Sequence, residues 1–332
     1  MVDVALMAET QNPSLPIRKV NVEKDLGKIA DLIEICFGDQ MDEDGHEYLR
    51  QIRRAAKDVR QIIWVRGSNE WVAMPMHGYV YLDGERIIGN VTLVPFQKSG
   101  RWVYLICNVA VHPEYRRRGI GRLMTVKGIE HIRRQKAQSS WLQVRVDNLP
   151  AIHLYETLGF QHRAVRTLWR VSPGQPFGIT PSELSIQPRK REDWPVQCDW
   201  LEKTYPGEVA WNLPFKSDVF RPGLWRWLVD YFRGDRVENW SAYRGEQICG
   251  SVSWKESSFH QESLWPVIVQ EGDDEALCAL LTFMRQRMRT HRSVVVNYPA
   301  GQSESGFLQA GFSKINTLIW MEAPIDSPAT PD

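Results

Sequence analysis

The stretch Tyr104-Leu105-Ile106-Cys107-Asn108-Val109-Ala110-Val111-His112-Pro113-Glu114-Tyr115-Arg116-Arg117-Arg118-Gly119-Ile120-Gly121 decides how the chain is read. Its first eight residues form an apolar, β-branched run, the mark of a buried strand, and Pro113 stops it. Two glycines then flank Ile120 and a helical pattern begins, with Leu123, Met124, Val126, Ile129 and Ile132 on one side as far as Lys136. A strand, a glycine turn and a helix N-terminus leave backbone N–H groups unpaired and pointing outward. The helix dipole adds to their pull on an anion. Arg116, Arg117, Arg118 and Arg122 bring positive charge to the same place. The expected ligand is a diphosphate. Neither familiar nucleotide loop is present: the chain has no Gly-x4-Gly-Lys-Ser/Thr and no Gly-x-Gly-x-x-Gly.

Around this stretch the composition sets limits. The 332 residues suffice for two ordinary domains, and 43% hydrophobic content supports packed cores. A net charge of +1 argues against a surface given over to nucleic acid. The charge is local: Tyr115–Lys136 holds eight Arg or Lys against the single acid Glu130. Five scattered cysteines, Cys36, Cys107, Cys198, Cys249 and Cys278, with no Cys-x-x-Cys pair, fit reduced thiols and a cytoplasmic protein, without structural zinc or any other metal. No secretory leader is evident, and no apolar run is long enough to span a membrane.

Taken in order, residues 1–16 are polar and expected to be flexible. Ile17–Val20 is a short strand, and Asp25–Phe37 has helical spacing with Gly38 at its end. The acidic loop from Asp39 to Asp44 leads into a second helix through Tyr48, Leu49, Ile52 and Ala56. Met76–Leu82 and Arg86–Val94 make a hairpin turned at Asp83-Gly84. After the strand from Trp102 and the helix Gly121–Lys136 come the strand Trp141–Val146, the helix Asn148–Leu158 capped by Gly159, and the strand His162–Arg170. Residues 171–183, rich in Pro and Gly, form a linker, and 323–332 a flexible C-terminus.

The segment 184–322 restates the first half. Ile186–Lys190 followed by Asp193–Tyr205 repeats the opening strand and helix. Gly84-Glu85-Arg86-Ile87-Ile88-Gly89 returns as Gly245-Glu246-Gln247-Ile248-Cys249-Gly250, Leu158-Gly159-Phe160 as Ala310-Gly311-Phe312, and Leu168-Trp169 as Ile319-Trp320. Where the second copy should have its cradle, after Leu264–Val269, it reads Gln270-Glu271-Gly272-Asp273-Asp274-Glu275. Four acids there would repel a diphosphate. One active half is expected. Nine of the fourteen tryptophans lie after residue 190, Trp225 and Trp227 among them, as expected of core packing.

Arg116-x-x-Gly119-x-Gly121 after Val109-Ala110-Val111, followed by Asn148-Leu149-Pro150-Ala151-Ile152-His153-Leu154-Tyr155-Glu156-Thr157-Leu158-Gly159-Phe160, resembles the two signatures of the GNAT superfamily of acyl-CoA-dependent N-acyltransferases. The resemblance covers residues 17–170, and 184–322 resemble a degenerate second copy. It implies an α+β (mixed α/β) fold of two tandem GNAT-like domains, each a central mixed, mainly antiparallel β-sheet flanked by helices. It implies acetyl-CoA as cofactor: Val109 and Val111 pairing with the pantetheine arm through their backbone, and the amides from Arg117 through Arg118, Gly119, Ile120 and Gly121 to Arg122, with Arg116 beside them, holding the diphosphate. Asn148 and Ile152 would line the pantetheine. The strands of Trp102 and Trp141 would splay to admit the thioester. Tyr155 would protonate the departing thiolate, a task that suits a phenol of pKa about 10.

The resemblance further implies an N-acetyltransferase acting by direct attack of an amine in a ternary complex. The amine belongs to an unidentified small molecule or peptide. No acid stands in the strand before the cradle, so no general base is assigned. Asp83 and Glu85 read as solvated turn residues, His112 as a strand-end surface histidine, and Cys107 as a buried inert thiol. The competing class is a non-catalytic acyl-CoA sensor or scaffold. The chain is expected as a monomer or homodimer, with neither nucleic acid nor membrane as partner.

Overall fold

The structure is a computed structural model that describes residues 16–41, 43–57, 75–98, 100–177, 184–213, 215–223, 236–256, 261–288 and 291–325. Residues 1–15, Asp42, 178–183, Trp225, Trp227 and 326–332, on which expectations were placed above, lie outside the described residues.

The strands are β1 (Ile17–Lys19), β2 (Gly78–Asp83), β3 (Arg86–Lys98), β4 (Arg101–Val111), β5 (Ser139–Arg145), β6 (Gln161–Val171), β7 (Leu184–Pro188), β8 (Val237–Arg244), β9 (Gln247–Lys255), β10 (Gln261–Ile268), β11 (Ser293–Pro299) and β12 (Ser313–Pro324). The described helices are α1 (Val22–Phe37), α2 (Glu43–Lys57), α3 (Ile120–Arg134), α4 (Leu149–Thr157), α5 (Trp194–Thr204), α6 (Gly207–Ala210), α7 (Asp274–Met288) and α8 (Glu304–Gln309). The hydrogen-bonded strand order is β1-β2-β3-β4-β5-β12-β6-β11-β10-β9-β8-β7, a large mixed, mostly antiparallel sheet flanked by helices. Among the described residues no helix is long and apolar enough to cross a membrane. The chain forms two compact units, residues 1–142 with 323–332, and residues 143–322.

In the first unit, α1 begins at Asn21, whose side chain accepts the amides of Glu23 and Lys24. Asp25 in its first turn is buried and takes both Arg18 nitrogens, at 2.5 and 2.8 Å, and the Asn21 amide at 2.7 Å. The apolar stripe Leu26, Ile29, Ala30 and Ile33 packs with Leu49 and Ile52 of α2 on Val80, Ile87 and Ala110. Each Leu or Ile so buried stabilises the fold by about 1.5–3 kcal/mol. The hairpin β2–β3 turns at Gly84 as the sequence suggested. Alternation along β3 sends Val91 and Leu93 toward Gly128 of α3, where a Cβ would lie within 4 Å of both, and sends Asn90 and Thr92 to the other face. The last described residues belong here too: the Ser140 hydroxyl donates to the Ala323 carbonyl, and the Ile325 amide to Gln138.

In the second unit β6 runs antiparallel between β11 and β12, with Trp169 opposite Val296 on one side and Lys314 on the other. The strand that closes the first half of the sequence therefore lies in this unit. Its core gathers Trp169, Leu201, Tyr205, Phe215, Trp254, Trp265, Leu277 and Phe307, with Trp169 and Phe307 stacked at 4.7 Å. The tryptophans among these are core residues, as composition suggested.

Candidate active site

β4, which continues to Val111, pairs in parallel with β5 from Val103/Ser139 to Ile106/Leu142. One residue pair later β4 bulges. Cys107 faces Thr92 and Ala110 faces Asn90, so Asn108 and Val109 together oppose Val91. Asn108 takes φ 50°, in the left-handed region. Its carbonyl accepts a hydrogen bond from Asn90 Nδ2 at 2.9 Å, and its own amide nitrogen donates to the Tyr48 hydroxyl at 2.7 Å. Asn90 and Tyr48 escaped the sequence reading. A lone Asn inside the apolar run Ile87–Val94 was the available signal.

Beyond Val111 the chain turns through a short 3-10 segment, Pro113–Tyr115, and enters α3. Gly119 caps that helix at φ 77° with no side chain on the terminus, and the Leu123 amide donates to the Gly119 carbonyl at 3.0 Å. Among the described residues no acceptor faces the amides of Gly119, Ile120 and Gly121. Arg116, Arg117, Arg118 and Arg122 are all exposed around this terminus, and Arg117 also has positive φ, at 65°. A Cβ at Gly119 would meet nothing within 4 Å, so the space is open. Open amides, guanidinium groups and free space fit a diphosphate. One expected atom is already engaged: the Val111 carbonyl accepts from Arg116 Nε and from the Cys36 thiol, both at 3.2 Å.

Asn148, Ile152 and Tyr155 belong to the second unit. Asn148 caps α4 through its side chain, accepting the Ala151 amide at 3.3 Å. Ile152 and Tyr155, three residues apart, share the buried side of that helix. The Tyr155 ring meets Phe160 edge to face at 5.9 Å, and burial pushes its phenol up to about 12. Among the described residues nothing hydrogen-bonds its hydroxyl.

Residues 38–160 match the family model described as "Acetyltransferase (GNAT) family". The ribosomal protein bS18–alanine N-acetyltransferase of Escherichia coli (strain K12) is 41% identical over 59 residues, 18% of this chain and 40% of that protein. The mycothiol acetyltransferase of Geodermatophilus obscurus is 31% identical over 118 residues, 35% of this chain and 37% of that protein. The chain thus spans about two fifths of the length of these curated relatives. A crystal structure of a GCN5-related N-acetyltransferase from Sphaerobacter thermophilus superposes with TM-score 0.57 at 16% identity, covering 93% of this chain and 96% of that one. The fold is that of the GCN5-related N-acetyltransferases.

Within this GNAT fold the candidates for a base can be placed. His112 corrects the expectation of a surface histidine. It is 8% exposed, and Arg86 donates to its Nε2 at 2.7 Å while Glu114 lies 3.6 Å from Nδ1. Arg86, just after the hairpin turn, bonds the ring on one side, and Tyr115 meets it edge to face at 5.9 Å. Asp83 accepts from the Tyr115 hydroxyl at 2.5 Å, so it is held in the turn. Burial pushes the Cys107 thiol up to about 12, which disfavours its thiolate.

The second unit offers a comparison of register. β10 and β11 pair in parallel from Gln261/Ser293 to Ser263/Val295. Ser251 faces Val267 as Asn90 faces Ala110, yet Pro266 alone stands where Asn108 and Val109 make the bulge, and it pairs straight with Val252. The Pro266 carbonyl accepts from the Tyr205 hydroxyl at 3.2 Å. At the N-terminus of α7, Asp273 accepts the Ala276 amide at 3.1 Å, and Arg244 binds Asp273 and Glu275. Phe307 holds the place of Tyr155, with the same edge-to-face contact to Phe312, at 6.0 Å, and Gly311 at φ 83° matching Gly159 at φ 85°.

Proposed function

We propose that the protein is an N-acetyltransferase that moves the acetyl group of acetyl-CoA to a primary amine by direct attack in a ternary complex. The observation that carries this reading is the uncapped N-terminus of α3, with its ring of arginines, at the end of the bulged strand β4. Acetyl-CoA supplies an activated thioester. The amides from Arg117 to Arg122 and the Arg116–Arg118 side chains hold its diphosphate, and the backbone of Val109 with the amide of Val111 holds the pantetheine, lined by Asn148 and Ile152. Tyr155, protonated at neutral pH, gives its proton to the sulfur as the C–S bond breaks; the proton shed by the attacking nitrogen goes to solvent, from which the phenol is restored. Positioning and backbone electrostatics account for the rest, with no nucleophile from the protein.

The sequence halves 17–170 and 184–322 are, in this reading, two copies of one ancestral domain joined by residues 171–183, the second without a cofactor site. Four features support the loss: Pro266 in place of the bulge, Tyr205 on its carbonyl, acids at the start of α7, and Phe307 in place of Tyr155. The acceptor is a small-molecule or peptide amine. Relatives named as a ribosomal protein bS18–alanine N-acetyltransferase and as a mycothiol acetyltransferase support an amine of either size. The absence of a carboxylate along Tyr104–Val111 favours the alternative of a non-catalytic acyl-CoA sensor.

Calorimetric titration of acetyl-CoA into the wild type and a Gly121→Glu variant tests the proposal. Binding by the wild type and none by the variant is expected, followed by thiol release when an amine library is added. A wild type that does not bind acetyl-CoA overturns it. Binding without thiol release from any amine moves the weight to the sensor.

A further inference from the structure

We infer that Asn90 is a positioning residue for the cofactor. Its side chain holds the β4 bulge open in the shape that presents Val109 to the pantetheine, and Tyr48 secures the same bulge from α2. The inference rests on the acetyl-CoA reading above and deepens it.

Asn90 is fully buried on the face of β3 away from α3. Its Nδ2 donates to the Asn108 carbonyl at 2.9 Å and to Thr92 Oγ1 at 3.2 Å, while its Oδ1 is buried without a partner among the described residues. A buried carboxamide with an unanswered acceptor carries a desolvation cost that an apolar residue of similar size would avoid. What the amide provides is a donor aimed at the carbonyl of a residue in the left-handed region. Asn tolerates that region better than most residues, but a strand does not favour it, so the bulge needs holding. Asn108 is held a second time, through Nδ2 to Tyr48 at 2.7 Å and Thr92 at 3.4 Å. Three elements, α2, β3 and β4, therefore meet at one residue of the bulge.

The second unit supplies an internal comparison. At the register position of Asn90 it has Ser251, whose hydroxyl bonds instead to Ser241 at 2.8 Å, and the strand opposite is straight through Pro266. The amide and the bulge are present together in one unit and absent together in the other.

The test separates the two ends of the cofactor. Asn90→Ala and Tyr48→Phe are titrated calorimetrically with acetyl-CoA and with adenosine 3′,5′-diphosphate, which carries phosphates but no pantetheine. For Asn90→Ala the expected result is about tenfold weaker acetyl-CoA binding with the nucleotide affinity unchanged; for Tyr48→Phe, which removes one hydroxyl from a folded protein, it is about threefold. Equal loss for both ligands would mean general damage and overturn the inference, as would unchanged acetyl-CoA affinity in both variants. Should Asn90→Ala fail to fold, Tyr48→Phe decides by the same criteria. A wild type that binds no acetyl-CoA overturns this inference together with the proposed function, whereas a binding wild type with indifferent variants overturns this inference alone.

Discussion

The hydroxyl of Tyr205 donates to the carbonyl of Pro266 at 3.2 Å. A backbone acceptor on the central strand of the second unit is thereby satisfied by the chain's own side chain, on a strand with no bulge to present it. The expected stoichiometry is one acetyl-CoA per chain. Two sites by calorimetry would show that the acids Glu271 to Glu275 and the straight β10 do not exclude the cofactor.

Gly119 caps α3 in the left-handed region with open space around its Cα. An alanine there meets no atom and suffers only the backbone penalty, about 1–2 kcal/mol. Gly119→Ala should lower stability by that amount in urea melts and weaken acetyl-CoA binding through the displaced amides. Unchanged stability and binding together would refute the strained cap.

Tyr155→Phe should reduce kcat by about 10²–10⁴ with the KM for acetyl-CoA nearly unchanged, since only a proton donor is lost. The wild-type phenol, raised to about 12 by burial, stays protonated through the neutral range, so it should cause no fall in kcat until the pH nears that value. A Tyr155→Phe enzyme as fast as the wild type would remove Tyr155 from the mechanism.

Burial pushes the Asp25 carboxyl up, but the Arg18 bridge and the Asn21 amide outweigh it, and the net shift is below the usual carboxylate range. A folded value below the unfolded one gives stability that is complete above about pH 3.9 and lost as pH falls through the folded value. Asp25→Asn should cost about 2 kcal/mol near neutrality, less than a fully buried pair because Arg18 is 43% exposed. The difference from wild type should shrink on acidification. A gap that is constant down to pH 2 would count against the ion pair as its source.

Much of this was legible in the sequence because the signals were local. The turn after Val111, the Gly84 hairpin, the Gly159 cap and the echo of Leu158-Gly159-Phe160 in Ala310-Gly311-Phe312 each depend on neighbouring residues alone. The bulge was not legible. Tyr104–Val111 has the pattern of a straight strand, and the side chain that donates to its bulge at Asn108 is Asn90, eighteen residues earlier and on another strand. Nor was the place of β6: its alternation suits any antiparallel neighbour, and which ones it takes, β11 and β12, is set by residues more than a hundred positions away. His112 was misjudged for the same reason, its cover coming from Arg86.

The bonds from Ser140 to Ala323 and from Ile325 to Gln138 have a consequence for the order of events at the ribosome. The first unit contains residues up to 142 and residues from 323, so its sheet cannot be finished when its own helices and central strands emerge. About 180 residues must still be made, on the order of ten seconds or more of synthesis at roughly 5–20 residues per second. Through that interval β5 waits with an open edge. The half of the sequence that carries the cradle is translated first and completed last.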